Sequence, residues 1–295
     1  MSNHARAILA LCFTIFVWGV APALVRSFSL ATGPTDAIAI RMCFTALAAI
    51  PLFFFYGWRI ATRDIPVLLI ISCLGMFGYF LGSIFGYALV PAGFGSMIIA
   101  LQPLLIALIA ALIGLENLNR YSIAGLIISF IGTLYLFGGN MNGDIKLHDM
   151  FMGGALLFLC DLAWVIYVIY SKPLVQKYGT FKITAWTLVL CALPALPFIS
   201  ASTLPAALSL NLQDVLSLIF LSILGTVICM VTWNYATGHL TATTMGASLY
   251  MVPVLAVMSG WALLHEPFSL STVIAGLIIL AGVAVAEFGS SKKAA

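Results

Sequence analysis

The 295-residue chain has very few charged side chains: Asp, Glu, Lys and Arg together make up 7% of it, against about 25% in soluble domains. Hydrophobic residues make up 63%, well above the roughly 45–50% of soluble domains. This scarcity of charge excludes a soluble enzyme, a nucleic-acid binder and any large domain outside a membrane. The net charge of +3 is also too small to indicate a polyanionic partner.

The motifs of nucleotide-driven and metal-dependent enzymes are missing as well. No glycine precedes a lysine, which excludes a P-loop and with it a self-contained ATP-driven pump. The pair His265-Glu266 is not followed by a second histidine at helical spacing, so the zinc-protease motif fails. The six cysteines lie in six different apolar runs, without metal-ligand spacing. We therefore predict no catalytic residue, no metal site, no cofactor and no disulfide.

Long apolar runs are what the sequence does contain, and a membrane-spanning helix needs about 20 such residues. Charges, prolines and polar clusters separate ten runs, near residues 6–28, 34–56, 65–89, 92–115, 121–139, 151–171, 182–201, 214–237, 241–264 and 270–288. The runs predict an all-α integral membrane protein with ten transmembrane helices.

The two halves of the chain share residues at matched positions, with a shift of 146 residues in the first two runs and of 150 from the third run onward. The matched pairs include Trp18 with Trp164, Gly33 with Gly179, Asp64 with Asp214, Ser72 with Ser222, Pro103 with Pro253 and Glu116 with Glu266. Matches in this order predict a duplicated five-helix unit. Residues 1–139 would form the first repeat, residues 140–150 a polar linker, and residues 151–295 the second repeat with a short tail.

Five helices per repeat is an odd number, so the second copy must enter the membrane in the opposite sense. Lysine and arginine test this prediction, because they concentrate in cytoplasmic loops. With the N-terminus inside, the cytoplasmic segments hold nine of them, and the other face holds only Arg26 and Lys146. The bias predicts cytoplasmic termini, an extracytoplasmic linker, and inverted repeats, which are the architecture of many secondary transporters.

Two charged residues, Arg41 and Asp161, lie within apolar runs instead of at their ends. At 1.5 Å per helical residue, Arg41 lies roughly 11 Å and Asp161 roughly 15 Å from the outer ends of their helices. Comparable depths allow an ion pair that holds two helices together. The other interpretation is that Asp161 takes up a proton or binds a substrate amine. The sequence leaves both interpretations open.

The third run separates small and polar residues onto neighbouring faces. Glycines recur every four residues from Gly78 to Gly86, which allows close packing against another helix. The adjacent stripe consists of Tyr79, Ser83 and Tyr87. Polar atoms need partners inside a bilayer, so this stripe should face the protein interior or a wet cavity. Tyrosines buried against backbone carbonyls are the alternative.

Each repeat contains a helix that ends in a glutamate, at 114–116 (Gly-Leu-Glu) and 264–266 (Leu-His-Glu). Each is followed by a helix with the sequence Ala-Gly-Leu-Ile-Ile, at 124–128 and 275–279. Together with the duplication, these residues resemble the EamA family of the drug/metabolite transporter superfamily. The segment 17–22 (Val-Trp-Gly-Val-Ala-Pro) is similar to that of bacterial YddG-type exporters of aromatic amino acids.

The resemblance implies a basket of ten helices in which the fifth and tenth stand aside and six others line a central cavity. On those six helices, depth, polarity and helix face select the candidate substrate-binding residues Trp18, Tyr79, Ser83, Tyr87, Met97, Gln102, Trp164, Asn234 and Tyr250. Aromatic rings would stack on the solute, and the hydroxyl and amide groups would bind its carboxylate or amine. Phosphorylated solutes would fit poorly, because Arg41 is the one cation at depth in the predicted runs.

We therefore expect a secondary transporter of the bacterial inner membrane that exports amino acids or similar small metabolites by alternating access. Aromatic and other neutral amino acids are favoured. The alternative is a proton-coupled exporter of cationic drugs or toxic metabolites, for which Asp161 would be the membrane carboxylate. The expected partners are the small-molecule substrate and the lipid bilayer, and a monomer is compatible with the sequence.

Overall fold

The computed structural model describes residues 3–114, 120–140, 146–237, 239, 248–249, 251–266 and 270–294. All regular secondary structure in these residues is helical. The α-helices of the first half are α1 (Asn3–Thr32), α2 (Pro34–Ala49), α3 (Pro51–Tyr56), α4 (Ile65–Leu69), α5 (Phe77–Leu89), α6 (Ala92–Ile99), α7 (Gln102–Leu112) and α8 (Arg120–Asn140).

The second half continues with α9 (Leu147–Tyr178), α10 (Thr180–Leu190), α11 (Thr203–Leu208), α12 (Leu212–Ile219), α13 (Cys229–Thr237), α14 (Met251–Leu264) and α15 (Leu270–Ala294). Two 3₁₀ segments, Thr62–Asp64 and Leu193–Phe198, and two π segments, Ile70–Met76 and Phe220–Ile228, extend or connect these helices.

Seven helical stretches in the described residues are long and apolar enough to cross a membrane. They are His4–Thr32, Pro34–Tyr56, Thr62–Leu89, Ala92–Leu112, Leu147–Tyr178, Thr180–Phe198 and Leu212–Ala236. Shorter apolar helices, Ile123–Gly132, Met251–Leu264 and Leu270–Gly282, lie in the predicted fifth, ninth and tenth runs. The chain is thus an all-helical, multi-pass membrane protein as predicted, and the count of ten transmembrane helices stays a prediction.

Prolines divide two of the predicted runs into two helices each. The second run is interrupted before Pro51, which begins α3, and the fourth run before Gln102 and Pro103, which begin α7. Proline lacks an amide hydrogen and clashes with the preceding turn, so it is favoured at the first positions of a new helix. The pattern of apolar residues in the sequence does not by itself predict these breaks.

Helix α9 is longer than the predicted run 151–171 at both ends. It begins at Leu147, inside the segment 140–150 predicted as a linker, and Asp149 in its first turn complements the helix dipole. It then continues through Pro173 to Tyr178. Of the predicted linker, residues 141–145 lie outside the described residues.

The two π segments occupy matched positions in the two halves. They begin at Ile70 and Phe220, which the shift of 150 residues relates. Their wider turns change which carbonyl groups are bonded within the helix, and the Thr226 hydroxyl donates a hydrogen bond to the Leu221 carbonyl at 2.8 Å. π turns are frequent at functional sites. The duplication seen in the sequence therefore extends to an irregularity of the backbone.

Helices α5 and α9 pack with their backbones close together. A Cβ atom on Gly82 would lie 2.6 Å from the Leu156 carbonyl oxygen and 2.8 Å from the Cβ atom of Cys160. A Cβ atom on Gly86 would lie 3.2 Å from the carbonyl oxygen of Gly153. The predicted glycine face of the third run is thus the contact with α9, and the polar stripe beside it turns inward.

Helices α8 and α15 pack mainly against each other. The Ser129 hydroxyl donates to the Ile279 carbonyl at 3.1 Å, and a Cβ atom on Gly132 would lie 2.9 Å from the Ile279 amide nitrogen. This pair corresponds to the fifth and tenth helices that the resemblance sets aside from the cavity.

The Gly82 contact predicts that the substitution Gly82→Leu lowers the free energy of unfolding by about 1–3 kcal/mol, because the side chain would force α5 and α9 apart. Ala155→Leu on α9 is the matched control, since Ala155 is exposed on the outer surface. Thermal unfolding in detergent should show a lower midpoint for Gly82→Leu alone. Equal midpoints for the two variants would contradict the close packing.

Candidate functional site

A cavity lies where helices of the two halves meet. Its empty space amounts to about 1010 Å³ when the part that is open to solvent is counted. Six of the predicted substrate-binding residues line it together: Trp18, Tyr79, Ser83, Tyr87, Gln102 and Trp164. They come from α1, α5, α7 and α9, so both halves contribute to one site. The polar stripe of the third run therefore faces a cavity.

Aromatic rings form a connected cluster along the cavity wall. The ring centroid of Trp18 lies 6.1 Å from that of Trp164 in an edge-to-face contact, and 5.1 Å from that of Trp233. Trp164 also contacts Tyr79 at 5.3 Å and Tyr167 at 5.3 Å. Trp18 and Trp164 hold matched positions in the duplication, and the structure brings these two counterparts into direct contact inside the protein.

A hydrogen bond to the second π segment holds the Trp18 ring in place. Its indole nitrogen donates to the Gly225 carbonyl at 3.0 Å, and Gly225 and the following Thr226 also line the cavity. A buried indole needs such an acceptor. The irregular backbone of the π segment thus positions an aromatic wall of the cavity.

Three candidates are not placed at this cavity. Met97 lies on another face of α6 from Ser96 and Ala100, which line it. Its sulfur packs against α15, where a Cβ atom on Gly276 would lie 2.6 Å from it. Met230 is the last residue of α13 that lines the cavity, and Asn234 lies one turn after it. Tyr250, the third candidate, lies outside the described residues.

Arg41 lines the cavity with its guanidinium carbon 4.7 Å from the centroid of the Phe80 ring. Only 5% of Arg41 and none of Asp161 is exposed. No nitrogen–oxygen distance of 4.0 Å or less joins the two residues, so the structure does not form the ion pair considered from the sequence. Equal depth in the membrane does not make two side chains face each other, because it leaves the rotation of each helix about its axis undetermined.

Asp161 lies behind the cavity wall instead of on it. Neither of its carboxylate oxygens has a hydrogen-bond partner among the described residues. The side chain of Gln102, which does line the cavity, is the polar group beside it. The lining of the cavity thus includes Gln102 and does not include its neighbour Asp161.

Sequence reasoning missed an ionic contact next to the cavity. The Arg26 Nε atom lies 3.0 Å from the Glu266 carboxylate, and Arg26 also donates to the carbonyls of Tyr87 at 2.9 Å and Val90 at 2.7 Å. Glu266 in turn accepts from the Ala92 amide at 3.0 Å. The contact joins the end of α1, the segment between α5 and α6, and the end of α14. The recurrence of a glutamate at 116 and 266 was the available signal, but nothing in the sequence linked it to Arg26.

The sequence pattern of the EamA-like transporter family matches this chain twice, at residues 5–138 and 151–288. The chain belongs to the EamA-like transporter family. The two matches cover most of the chain and correspond to the two halves of the duplication.

Named relatives of this EamA-like transporter include exporters. A probable terminal-alkyne amino-acid exporter from Streptantibioticus cattleyicolor is 27% identical over 95% of this chain and 92% of its own. A probable amino-acid metabolite efflux pump from Salmonella typhimurium is 24% identical over 82% of this chain and 83% of its own. An uncharacterized transporter from Archaeoglobus fulgidus is 26% identical over 93% of this chain and 96% of its own. A crystal structure with a TM-score of 0.62 covers 99% of both chains at 22% identity, which shows a shared fold.

The prolines at matched positions of the EamA-like repeats both reach the cavity. Pro103 on α7 and Pro253 on α14 line it from opposite halves. Transporters place interrupted helices near their binding sites, because an interruption frees backbone polar groups for a ligand. Pro253 and Thr226 are thus lining residues that the candidate set omitted, although the proline repeat was visible in the sequence.

The Arg26–Glu266 contact predicts that Glu266→Gln destabilises the protein by about 1–3 kcal/mol, because it leaves a partly buried guanidinium without its counter-ion. The matched control is Asp64→Asn, which removes the carboxylate of a more exposed ion pair with Lys177 and should cost at most about 1 kcal/mol. Thermal unfolding of the purified protein measures both. The double variant Arg26→Met with Glu266→Gln should lose less stability than Glu266→Gln alone, and the opposite order would contradict the interpretation.

Proposed function

We propose that this EamA-like transporter exports amino acids, with aromatic and other neutral ones favoured, across the inner membrane of a bacterium. The observation that carries the proposal is the cavity shared by the two halves, with its wall of Trp18, Trp164 and Tyr79. The names of the relatives support the same class of solute, since two of those described are called amino-acid exporters or efflux pumps.

The chemistry of the cavity suits a small solute that is apolar on one side. Sites for such molecules combine apolar and aromatic walls with a few polar groups that fix the orientation. Here the indole rings supply area for stacking, and Ser83, Ser96, Gln102 and Thr226 supply hydroxyl and amide groups. An aromatic amino acid offers a complementary ring and two polar groups.

Alternating access is the proposed mechanism, and polar contacts between the halves indicate where the protein would open. Arg26 and Glu266 join the halves near the end of the third run, where α5 stops. Asp64 joins Lys177 and Tyr178 at the opposite end of the same run. Rocking of the two halves about the cavity would break one contact set while the other holds.

The cationic-drug alternative gains no support from the cavity. Such an exporter needs a carboxylate that meets the drug, whereas Asp161 is fully buried and is not among the residues that line the cavity. The charged side chain that does line the described cavity is a cation, Arg41. A positively charged solute would be repelled there.

Proteoliposomes that contain the purified full chain test the proposed function. We expect efflux of labelled phenylalanine or threonine above that of empty liposomes, and no efflux of a sugar phosphate.

Trp164→Ala should slow phenylalanine efflux at least about tenfold, because it removes an aromatic ring against which the solute would stack. Trp58→Ala is the matched control, since Trp58 is 66% exposed and is not among the residues that line the cavity. Amino-acid efflux no faster than in empty liposomes would contradict the proposal.

The proposed orientation places both termini in the cytoplasm and the halves as inverted repeats. It rests on the nine lysines and arginines of one set of loops against two of the other. A C-terminal fusion should therefore be fluorescent with green fluorescent protein and inactive with alkaline phosphatase, which folds only outside the cytoplasm. Phosphatase activity of the fusion would reverse the orientation.

A further inference from the structure

We propose that Arg41 binds the carboxylate of the transported solute, so that every good substrate carries a free carboxylate beside an apolar body. The inference rests on the proposed function and goes further, because it names the chemical group that the cavity selects. Arg41 was considered from the sequence as a partner of Asp161, and the structure separates the two.

Arg41 is a buried cation that lines the cavity. Its Nε and Nη1 atoms have no hydrogen-bond partner in the part of the chain that the structure describes. The titratable neighbours of Arg41 are the Tyr79 hydroxyl and the thiols of Cys160 and Cys191. These groups are protonated at neutral pH in their ordinary range. No carboxylate of the described residues lies within 4.0 Å of the positive charge that Arg41 brings to the cavity.

A charge in that position is costly for the protein unless something else pairs with it. A guanidinium keeps its proton at neutral pH, so it cannot escape the cost by becoming neutral. Buried charges in proteins are accordingly paired or bound to a ligand. Arg26, by comparison, has three acceptors within 3.0 Å: Glu266, Tyr87 and Val90. Of these two arginines beside the cavity, one is satisfied by the protein and the other is left for the solute.

The surroundings of Arg41 define the rest of the solute. Its guanidinium lies over the Phe80 ring, which is 5.7 Å from the Tyr79 ring, and Tyr79 is 5.3 Å from Trp164. A continuous series of rings thus leads from the cation to the indole wall. A molecule with a carboxylate at one end and an aromatic or aliphatic group at the other matches this order.

The number of fixed cations at the cavity favours a carboxylate over a phosphate ester. The planar guanidinium fork donates two parallel hydrogen bonds to either group, so its geometry does not separate them. A phosphate ester carries more charge and normally needs several fixed cations. Arg26 is already engaged by Glu266, so it does not provide the second one. The cavity is therefore suited to monocarboxylates.

Three probes that differ by one group test the inference on the purified full chain: L-phenylalanine, 3-phenylpropionate, which lacks the amine, and 2-phenylethylamine, which lacks the carboxylate. We expect the first two to raise the thermal unfolding midpoint, because ligands that bind the folded state stabilise it by mass action. We expect no rise with 2-phenylethylamine. Isothermal titration then gives the affinities.

Arg41→Met keeps an unbranched, flexible side chain and removes the guanidinium group with its charge. We expect it to weaken L-phenylalanine binding at least about 30-fold, because a buried charge-assisted contact is lost. Arg41→Lys should bind with intermediate affinity, since it retains a charge without the fork. Arg59→Gln is the matched control, because Arg59 is exposed and its loss should leave binding unchanged.

Each result bears on the inference separately from the proposed function. If Arg41→Met binds L-phenylalanine as tightly as the parent protein, Arg41 is not the carboxylate site, while amino-acid transport still stands. If 2-phenylethylamine binds as well as L-phenylalanine, the inference is wrong and a cationic solute is favoured. If 3-phenylpropionate binds through Arg41 but amino acids do not bind, the inference holds and the proposed amino-acid function fails.

Discussion

In the hydrocarbon of a bilayer a peptide group has no water to bond, so each span of this chain has to satisfy its own backbone. That constraint explains why the described structure is helical throughout, and it gives meaning to the places where a helix is irregular. The second π segment turns the Gly225 carbonyl toward the Trp18 indole, and the helix break before α7 lies at Gln102 and Pro103, which both line the cavity. These departures from the regular helix thus occur inside the protein, next to the cavity, where other protein groups can bond the freed backbone atoms.

The same constraint sorts the side chains of α5 onto two faces. The glycine face lets the backbone of α5 approach that of α9, where Gly82 lies against Leu156 and Cys160. The polar face then has to lie on the inner side, and it supplies Tyr79, Ser83 and Tyr87 to the cavity. One arrangement of residues on α5 therefore produces both the close packing on one face and the polar cavity wall on the other.

Scarce charge makes the few buried charges informative. Arg26 and Glu266 neutralise each other and bind backbone groups at one end of the cavity. Arg41 has no such partner in the described residues, and Asp161 is enclosed. In a medium of low dielectric constant, a cation beside a series of contacting aromatic rings selects for the charge and shape of the solute that enters. The proposed preference for a carboxylate attached to an apolar group follows from this electrostatic situation more directly than from the size of the cavity.

The sequence by itself determined the helical membrane class, the duplication, and much of the cavity wall. Hydrophobic length and residue spacing are local properties, and they sufficed to select Trp18, Trp164 and the tyrosine stripe, which share helix faces and depths. Only the tertiary structure decided how each helix is rotated about its axis. Rotation turns Met97 toward α15, keeps Arg41 apart from Asp161, and brings Arg26 to a glutamate 240 residues away in the sequence. Helix packing sets these contacts, because it depends on the shapes of all neighbouring helices at once and not on the periodicity of any one of them.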